Sequence, residues 1–333
     1  MYLVKTPWLL KALYPSLIWN KSRKSHCIYL TFDDGPIPIV TPFVLNILKQ
    51  YSAKATFFCI GDNVGKHPDV FEQVKNAGHA IGNHTFNHLK GWKTDDKTYV
   101  ENFLKADEFL HSNLFRPPYG RIKTSQTKLL KKAKPGVNIV MWDVLSGDFD
   151  INLDPEECLQ NVLQHTENGS IIVFHDSLKA YDRLEYVLPR AMEEWSRRGY
   201  SFGLFRSLNP CILKKYEIEF KIRKWDSYRY LSVEQIIPTD INFYLSGYFE
   251  LNTIGVECLQ EDILPEIEKA INGQLFEENG GGQLSFLTIG ADFSSFNGTN
   301  AGTPPAIIPT TDLRDIILMW IDFVIKNNLT EQI

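Results

Sequence analysis

The hydrophobic and polar positions of the chain follow a strand and helix alternation through its first two-thirds. Between the strand-like runs the apolar positions recur three and four residues apart, as in 42–50 and 69–77, which is typical of helices with one buried face. This alternation predicts parallel strands joined by crossover helices, and seven such units predict a deformed, seven-stranded (β/α) barrel. The predicted strands lie near 27–32, 55–60, 79–84, 114–117, 137–143, 170–175 and 200–205.

The pattern changes after residue 206. Residues 207–210 are typical of a connection, residues 216–223 alternate as a strand does, and 241–254 predicts one or two more strands. Two amphipathic helices are expected later, at about 261–275 and 312–327, the second with Thr310 or Thr311 as its N-cap. We therefore predict three parts: an N-terminal extension over 1–24, a barrel domain over 25–207 and a small α+β domain over 208–333.

The N-terminal extension is apolar and aromatic, but two lysines and two prolines interrupt it. We expect it to pack on the barrel, with an interfacial membrane contact through Trp8, Leu9, Leu10 and Trp19 as the alternative. The extension shows no clean signal-peptide pattern, and no segment approaches the roughly 20 apolar residues of a membrane span. These observations predict a chain without a transmembrane segment and favour the cytoplasm.

Charge is distributed unevenly along the 333 residues. Residues 1–208 contain 26 Lys+Arg and 22 Asp+Glu, and residues 209–333 contain 9 and 18, so the two parts have net charges of +4 and -9. A nucleic-acid surface needs a dense basic stripe, which the first part lacks, and the acidic second part would be repelled by phosphates. Nucleic acid is therefore excluded as a partner. The acidic domain could dock on the barrel and gate its cleft, bind a protein partner or bind a ligand, and we favour an interaction or regulatory module over a second active site.

The cysteines indicate reduced thiols, because they are odd in number, widely scattered and mostly set in apolar stretches. The five are Cys27, Cys59, Cys158, Cys211 and Cys258.

Two short motifs contain the residue types of a metal site. Asp33 and Asp34 follow an apolar strand, and because consecutive strand side chains point to opposite sides, they should have different roles. His84 and His88 are four residues apart, so one helical turn would bring both imidazoles to one side. An Asp/His/His set leaves a coordination position open and favours zinc or a similar first-row ion. Taken singly, each motif also fits a bland alternative, a turn cluster or two surface histidines.

The motifs share one location in the predicted fold, since each begins where a strand ends. The carboxyl ends of barrel strands form one rim, which is where barrel enzymes build their active sites. Three further motifs lie at strand ends, namely residues 115–120 (FRPPYG), 142–149 (WDVLSGDF) and 171–176 (IIVFHD). Motifs far apart in sequence are thus expected to meet.

With these five motifs in this order, residues 25–207 resemble the polysaccharide deacetylase family, the NodB-homology domain of carbohydrate esterase family four. The resemblance implies a metal-dependent hydrolase that removes acetyl groups from an N-acetylated or O-acetylated carbohydrate. It implies Asp34, His84 and His88 as ligands of a divalent metal, zinc first, with cobalt, nickel or manganese as alternatives.

The resemblance also implies the proton carriers. Asp33 would be the base as water on the metal attacks the acetyl carbonyl, and His175 would be the acid that protonates the leaving group. Asp148 would keep His175 protonated, Arg116 would orient Asp33, and a backbone N–H near Tyr119 would stabilise the oxyanion. Asp143 fits either a site residue or a loop cap.

Two alternatives to a carbohydrate deacetylase stay open. The scaffold could serve as a non-catalytic glycan-binding protein, although binding alone requires neither Asp33 nor His175. It could also belong to an amidohydrolase of a small non-sugar amide.

Overall fold

The computed structural model describes residues 2–205, 212–225, 228–235, 245, 258–271, 285–298 and 305–326. Its internal contacts divide the chain into two compact units, Met1–Ser207 and Leu208–Ile333.

The first unit is built on a parallel sheet whose strands are rich in aromatic and β-branched residues. In chain order the strands are β1 Cys27–Asp33, β2 Thr56–Cys59, β3 Ala80–Asn83, β4 Leu114–Phe115, β5 Asn138–Ile139, β6 Val144–Leu145, β7 Ile171–His175 and β8 Ser201–Phe202. Seven of them follow the spatial order β5-β4-β3-β2-β1-β7-β6, and β8 pairs with β1 at its start. The predicted deformed barrel of parallel strands is confirmed.

Helices surround the sheet and cover its buried strands, as parallel sheets require. Stacked rings of Phe32, Phe57 and Phe174 lie at the centre of the core, and the helices add one apolar face each, such as Val44 and Leu48. The helices are α1 Trp8–Leu13, α2 Val40–Gln50, α3 Gly61–Lys66, α4 Pro68–Asn76, α5 Asp96–Leu110, α6 Thr124–Ala133, α7 Pro155–His165 and α8 Tyr181–Arg197, with short 3-10 turns at Gly91–Lys93 and Pro118–Gly120.

The N-terminal segment, residues 2–20, pairs with both ends of the sheet. Near β5, the Ile18 N–H donates to the Ile139 carbonyl at 2.9 Å and the Met141 N–H donates to the Ile18 carbonyl at 2.7 Å. At β6, the Leu145 N–H donates to the Val4 carbonyl at 2.8 Å. The segment therefore lies between the two strands that end the sheet and satisfies backbone groups that an open edge would expose.

This pairing also explains one wrong prediction. The strand expected over 137–143 is confined to Asn138–Ile139, and a separate short strand, Val144–Leu145, follows just beyond the predicted range. Between them the backbone leaves one end of the sheet and bonds to the N-terminal segment before it reaches the other end. A pairing partner so distant in sequence leaves no trace in the local hydrophobic pattern.

Asp143 holds the N-terminal segment in place. Its buried carboxylate accepts bonds from Lys5 at 2.8 Å, Lys11 at 2.5 Å, Arg23 at 2.9 Å and the Ser170 hydroxyl at 2.7 Å. Burial acts to raise the pKa of Asp143, but these donors outweigh it and lower the pKa to about 2. Asp143 is thus an anchor for the segment rather than the cap of its own loop.

The second unit is an α+β domain with antiparallel sheets, as predicted. Its core joins one face of the long C-terminal helix, including Ile316, Trp320 and Val324, to strand residues such as Phe296 and Ile308. Its elements are α9 Ile212–Lys215, the hairpin β9 Ile218–Trp225 and β10 Tyr228–Gln235, a π-helical turn Leu259–Ile263 continued by α10 Leu264–Ile271, the sheet β11 Ser285–Thr288, β12 Phe293–Gly298 and β13 Ala306–Pro309, and α11 Thr310–Lys326.

The strands predicted within 241–254 lie outside the described residues. Helix α11 starts at Thr310, which is therefore its first helical residue rather than its N-cap, and the Thr310 hydroxyl donates to the Gly290 carbonyl at 2.6 Å.

Across the residues that the structure describes, no helix combines the length and the apolar character of a membrane span.

Candidate active site

The register of the central strands sets the geometry of the site. In the parallel pair β1 and β7, Asp33 lies opposite His175, and Asp33 also pairs with Phe58 of β2. Both polar residues are the last of their strands, so they lie at the carboxyl edge of the sheet beside each other.

Arg116 fixes the Asp33 carboxylate. The guanidinium is fully buried and donates to Asp33 Oδ1 at 2.7 Å and to the Thr31 hydroxyl at 2.7 Å. It also donates to the Val140 and Met141 carbonyls at 3.2 and 3.0 Å. Because these bonds hold the Arg116 guanidinium in place, its positive charge compensates the buried charge of Asp33, and the Asp33 carboxylate cannot rotate freely.

Asp34 begins a tight turn with a left-handed backbone, φ 83°. Its carbonyl accepts a bond from the Asn63 amide at 2.7 Å. The next residue, Gly35, donates its N–H to Asp176 Oδ1 at 3.0 Å, and a Cβ at Gly35 would collide with that carboxylate. Burial raises the pKa of Asp176 to about 8, against the hydrogen bond from Thr41. Asn63, Thr41 and Asp176 thus shape the turn. Asp176 belongs to the motif over 171–176, whereas nothing in the local sequence singled out Asn63 or Thr41.

The two histidines of the second motif lie on a loop, so the predicted helical turn is wrong. Thr85 and His88 both have left-handed backbone, with φ values of 63° and 56°. Buried Asn83 accepts the Thr85 N–H at 2.8 Å, and Asn102 accepts the N–H groups of Phe86 and Asn87. Side-chain amides therefore replace the helical bonds and still bring the two imidazoles within 5.0 Å, centre to centre.

Asp34, His84 and His88 form a compact set of three possible ligands. The Nε2 atoms of His84 and His88 lie 3.7 and 3.3 Å from Asp34 Oδ1, and one ligand atom from each residue lies within 4.8 Å of the others. Asp34 Oδ1 is buried without a hydrogen-bond partner. A buried carboxylate oxygen in that state costs free energy unless a cation compensates it, so the set fits a metal ion.

The protonation of the histidines agrees with this fit. Burial lowers the pKa of His84 well below its usual value, and the nearby His88 adds to the effect; burial likewise lowers the pKa of His88. His84 Nδ1 lies 2.8 Å from the Arg116 carbonyl, which can only accept, so Nδ1 donates there and Nε2 keeps a lone pair toward Asp34. Both imidazoles are therefore neutral and able to act as ligands.

His175 has the opposite character because Asp148 lies against it. Asp148 is fully buried, and its oxygens accept from His175 Nδ1 and from the His175 backbone N–H, each at 2.7 Å. Burial acts to lower the pKa of His175, but the charge and hydrogen bond of Asp148, with Asp34 and Asp33, raise it to about 9. His175 is therefore a cation at neutral pH, with Nε2–H as its free donor.

Tyr119 lies at the same edge of the sheet, in the turn that follows β4. Its backbone is left-handed, φ 60°, in a 3-10 turn that Gly120 and Arg121 close by donating to the Pro117 and Pro118 carbonyls. The exposed ring lies 4.6 Å from the ring of His88. The turn thus presents Tyr119 beside the histidine loop.

One cavity of about 810 Å³ joins these groups. Asp33, Asp34, His84, His88, Tyr119 and His175 all line it, while Arg116 and Asp148 are buried behind Asp33 and His175. All eight candidate residues thus meet at one edge of the sheet. The arrangement combines a place for a cation, a carboxylate held by arginine and an imidazolium held by a carboxylate, which suits hydrolysis with separate base and acid.

Comparison with known proteins agrees with the resemblance found in the motifs. The model of the family described as "Polysaccharide deacetylase" matches residues 20–135. A peptidoglycan-N-acetylglucosamine deacetylase of Bacillus cereus is 35% identical over 202 residues, which cover 58% of this chain and 94% of that protein. A chitooligosaccharide deacetylase of Azorhizobium caulinodans is 38% identical over 162 residues, which cover 46% and 76%.

Solved structures share the fold. The Bc1960 peptidoglycan N-acetylglucosamine deacetylase, in complex with 4-naphthalen-1-yl-N-oxidanyl-benzamide, superposes with a TM-score of 0.55 at 29% identity, covering 60% of this chain and 95% of that one. BA3943, a CE4 family pseudoenzyme from Bacillus anthracis, superposes with a TM-score of 0.51 at 22% identity, covering 59% and 69%. At the lower identity the likeness concerns the fold alone.

Proposed function

The chain belongs to the polysaccharide deacetylase family, and we propose that it hydrolyses acetyl groups on an N-acetylated carbohydrate, with N-acetylglucosamine units as the preferred class. The observation that supports this most is the pairing of Asp33 with Arg116 and of His175 with Asp148 around one cavity. A binding protein needs neither a fixed base nor a fixed acid.

Asp34, His84 and His88 would hold a divalent metal of the zinc type, because they offer one carboxylate oxygen and two neutral imidazoles. When bound, such a cation supplies Lewis acidity toward water and toward an acetyl carbonyl. Cobalt, nickel and manganese suit the same donors.

The residues of the chain supply the proton transfers. Asp33, held by Arg116, accepts a proton from the attacking water as the new C–O bond forms at the acetyl carbon. The backbone N–H at Tyr119 donates to the developing oxyanion. His175 then gives its Nε2 proton to the leaving nitrogen as the C–N bond breaks, so the products are acetate and a free amine. Val173 and Phe149, which line the cavity beside His175, would enclose the acetyl methyl.

Acetate release over a substrate panel tests the proposal. We expect the purified full chain, stripped with a chelator and reloaded with zinc or cobalt, to release acetate from chitooligosaccharides and from peptidoglycan. Acetylated xylan tests whether the chain removes O-acetyl groups, and simple acetamides test whether it accepts amides that contain no sugar. Acetate from the acetamides alone would favour the amidohydrolase, and bound glycan without acetate in any arm would favour a non-catalytic protein.

The pH profile tests the role of Asp148. Because the pKa of His175 is raised, the acid form is present at neutral pH and is lost as pH rises through about 9. In Asp148→Asn the carboxylate charge disappears, so the alkaline limb of kcat/KM should move to lower pH by roughly one to three units. Steady-state rates between pH 5 and 10 measure the shift.

Asp150→Asn is the matched control, since that carboxylate accepts from the Asn152 N–H two residues further along the same loop. Its alkaline limb should stay in place. A variant Asp148→Asn that folds normally and keeps the original alkaline limb would contradict the assignment of His175 as the acid held by Asp148.

A further inference from the structure

The N-terminal segment forms one wall of the cavity that contains the candidate active site. The N-terminal wall consists of Leu3, Leu10, Tyr14, Leu17 and Trp19, which line the same space as Asp34 and His175. Residues 2–19 lie outside the region 20–135 that the family model matches. The wall residues also belong to none of the five motifs.

The wall is mostly apolar, and part of it belongs to the hydrophobic core. Leu17 and Trp19 are buried in a cluster with Met141, and Leu10, Ile122 and Trp142 pack against that cluster while they also line the cavity. The two lysines of the segment, Lys5 and Lys11, bind Asp143 and contribute no charge to the cavity lining.

Among the five wall residues only Tyr14 and Trp19 carry a polar side-chain group, and the Trp19 indole is already bonded within the protein. The Trp19 indole N–H donates to the Tyr14 carbonyl at 3.0 Å, and the Thr6 hydroxyl donates to the Trp142 carbonyl at 2.8 Å. A sugar ring placed there would lose bonds to water for its hydroxyls and would find few replacements, which is unfavourable. An alkyl group placed there would only lose contact with water, which is favourable.

We propose that the substrate is an N-acetylated sugar linked to an apolar group, with the acetamide at Asp34 and His175 and the apolar group on the N-terminal wall. The inference rests on the proposed function and specifies its substrate class. The cavity, about 810 Å³, lies in the range of roughly 300–1,000 Å³ that is typical of pockets that bury most of a drug-sized ligand. Its polar end and apolar wall match the two ends of such a substrate.

Binding of two products that are not consumed tests the inference without depending on turnover. We expect hexyl glucosaminide to bind the full chain at least about tenfold more tightly than methyl glucosaminide in isothermal titration, because each further buried methylene adds affinity. The preference should fall to about threefold or less in Leu10→Ser. Leu3 is 59% exposed, so Leu3→Ser should not disturb folding. This variant should lower the preference for the hexyl glycoside severalfold.

Leu13→Ser is the matched control, because Leu13 is 64% exposed on the same segment and does not line the cavity. It should keep the full preference. Equal binding of the two glycosides, or a preference that survives in both Leu3→Ser and Leu10→Ser, would overturn the inference. The inference would also be overturned if deacetylated chitotetraose bound more tightly than methyl glucosaminide by the same factor and lost this gain in affinity in the same variants. The wall would then bind sugars.

Acetate release from the matching acetylated glycosides separates the two proposals. Release from chitooligosaccharides without a hexyl preference in binding would refute the substrate class and leave the proposed function intact. A hexyl preference in binding without acetate from any substrate would support the wall and refute the hydrolase.

Discussion

Replacing His84 with alanine is expected to remove the bound metal and to lower acetate release at least about a thousandfold, because Lewis acidity contributes several kcal/mol. His84 is buried and neutral, and its Nε2 lies 3.7 Å from Asp34 Oδ1, an oxygen without a hydrogen-bond partner. Loss of one of three ligands leaves Asp34 and His88 too weak to retain a divalent ion. Metal content after dialysis, measured by mass spectrometry, and acetate release with added zinc or cobalt give the two readouts.

His26→Ala is the control for a histidine elsewhere, because His26 is exposed, stacks on Tyr200 and does not line the cavity. It should keep metal and rate. His88→Ala is a second test, since His88 is only half-buried and its replacement leaves the core intact. If His84→Ala and His88→Ala both fold and both keep one equivalent of metal and a normal rate, the metal assignment is wrong.

The position of the site was predictable because its motifs lie at strand ends. Asp33 ends β1 and His175 ends β7, and parallel pairing alone places them opposite each other. Arg116 follows β4, and the resemblance implied its pairing with Asp33, which the contact between them shows. The catalytic roles of these residues stay predictions, as do the metal-binding roles of Asp34, His84 and His88. The expected cytoplasmic location also stays a prediction.

Other features depended on contacts that no local pattern records. The side-chain amides of Asn83 and Asn102 accept backbone N–H groups of the loop that contains His84 and His88. These bonds bring the two histidines together without a helical turn. Asp143 had two plausible local roles, yet Lys5, Lys11 and Arg23 reach it from more than a hundred residues away. Long-range ion pairs of this kind are specified by the fold, so the sequence around Asp143 could not reveal them.

Replacing Asp33 with asparagine should lower kcat by roughly a hundredfold to ten-thousandfold, the usual contribution of a general base, while the protein keeps its metal. Asparagine preserves the shape and can still accept from Arg116, but it cannot take a proton from water. Asp34, His84 and His88 remain in place, so metal content after dialysis should match the unaltered chain. Steady-state acetate release and metal analysis of the same sample measure both.

The neighbouring carboxylate gives the sharpest control, because Asp34→Asn should lose metal and rate together. The two variants differ by one position, yet strand geometry sends their side chains to different partners, Arg116 for Asp33 and the histidines for Asp34. Thermal unfolding of Asp33→Asn checks that the buried Arg116 cation, now without a charged partner, has not unfolded the barrel. A folded Asp33→Asn with more than about a tenth of the normal rate would exclude Asp33 as the base, since a base contributes more than that.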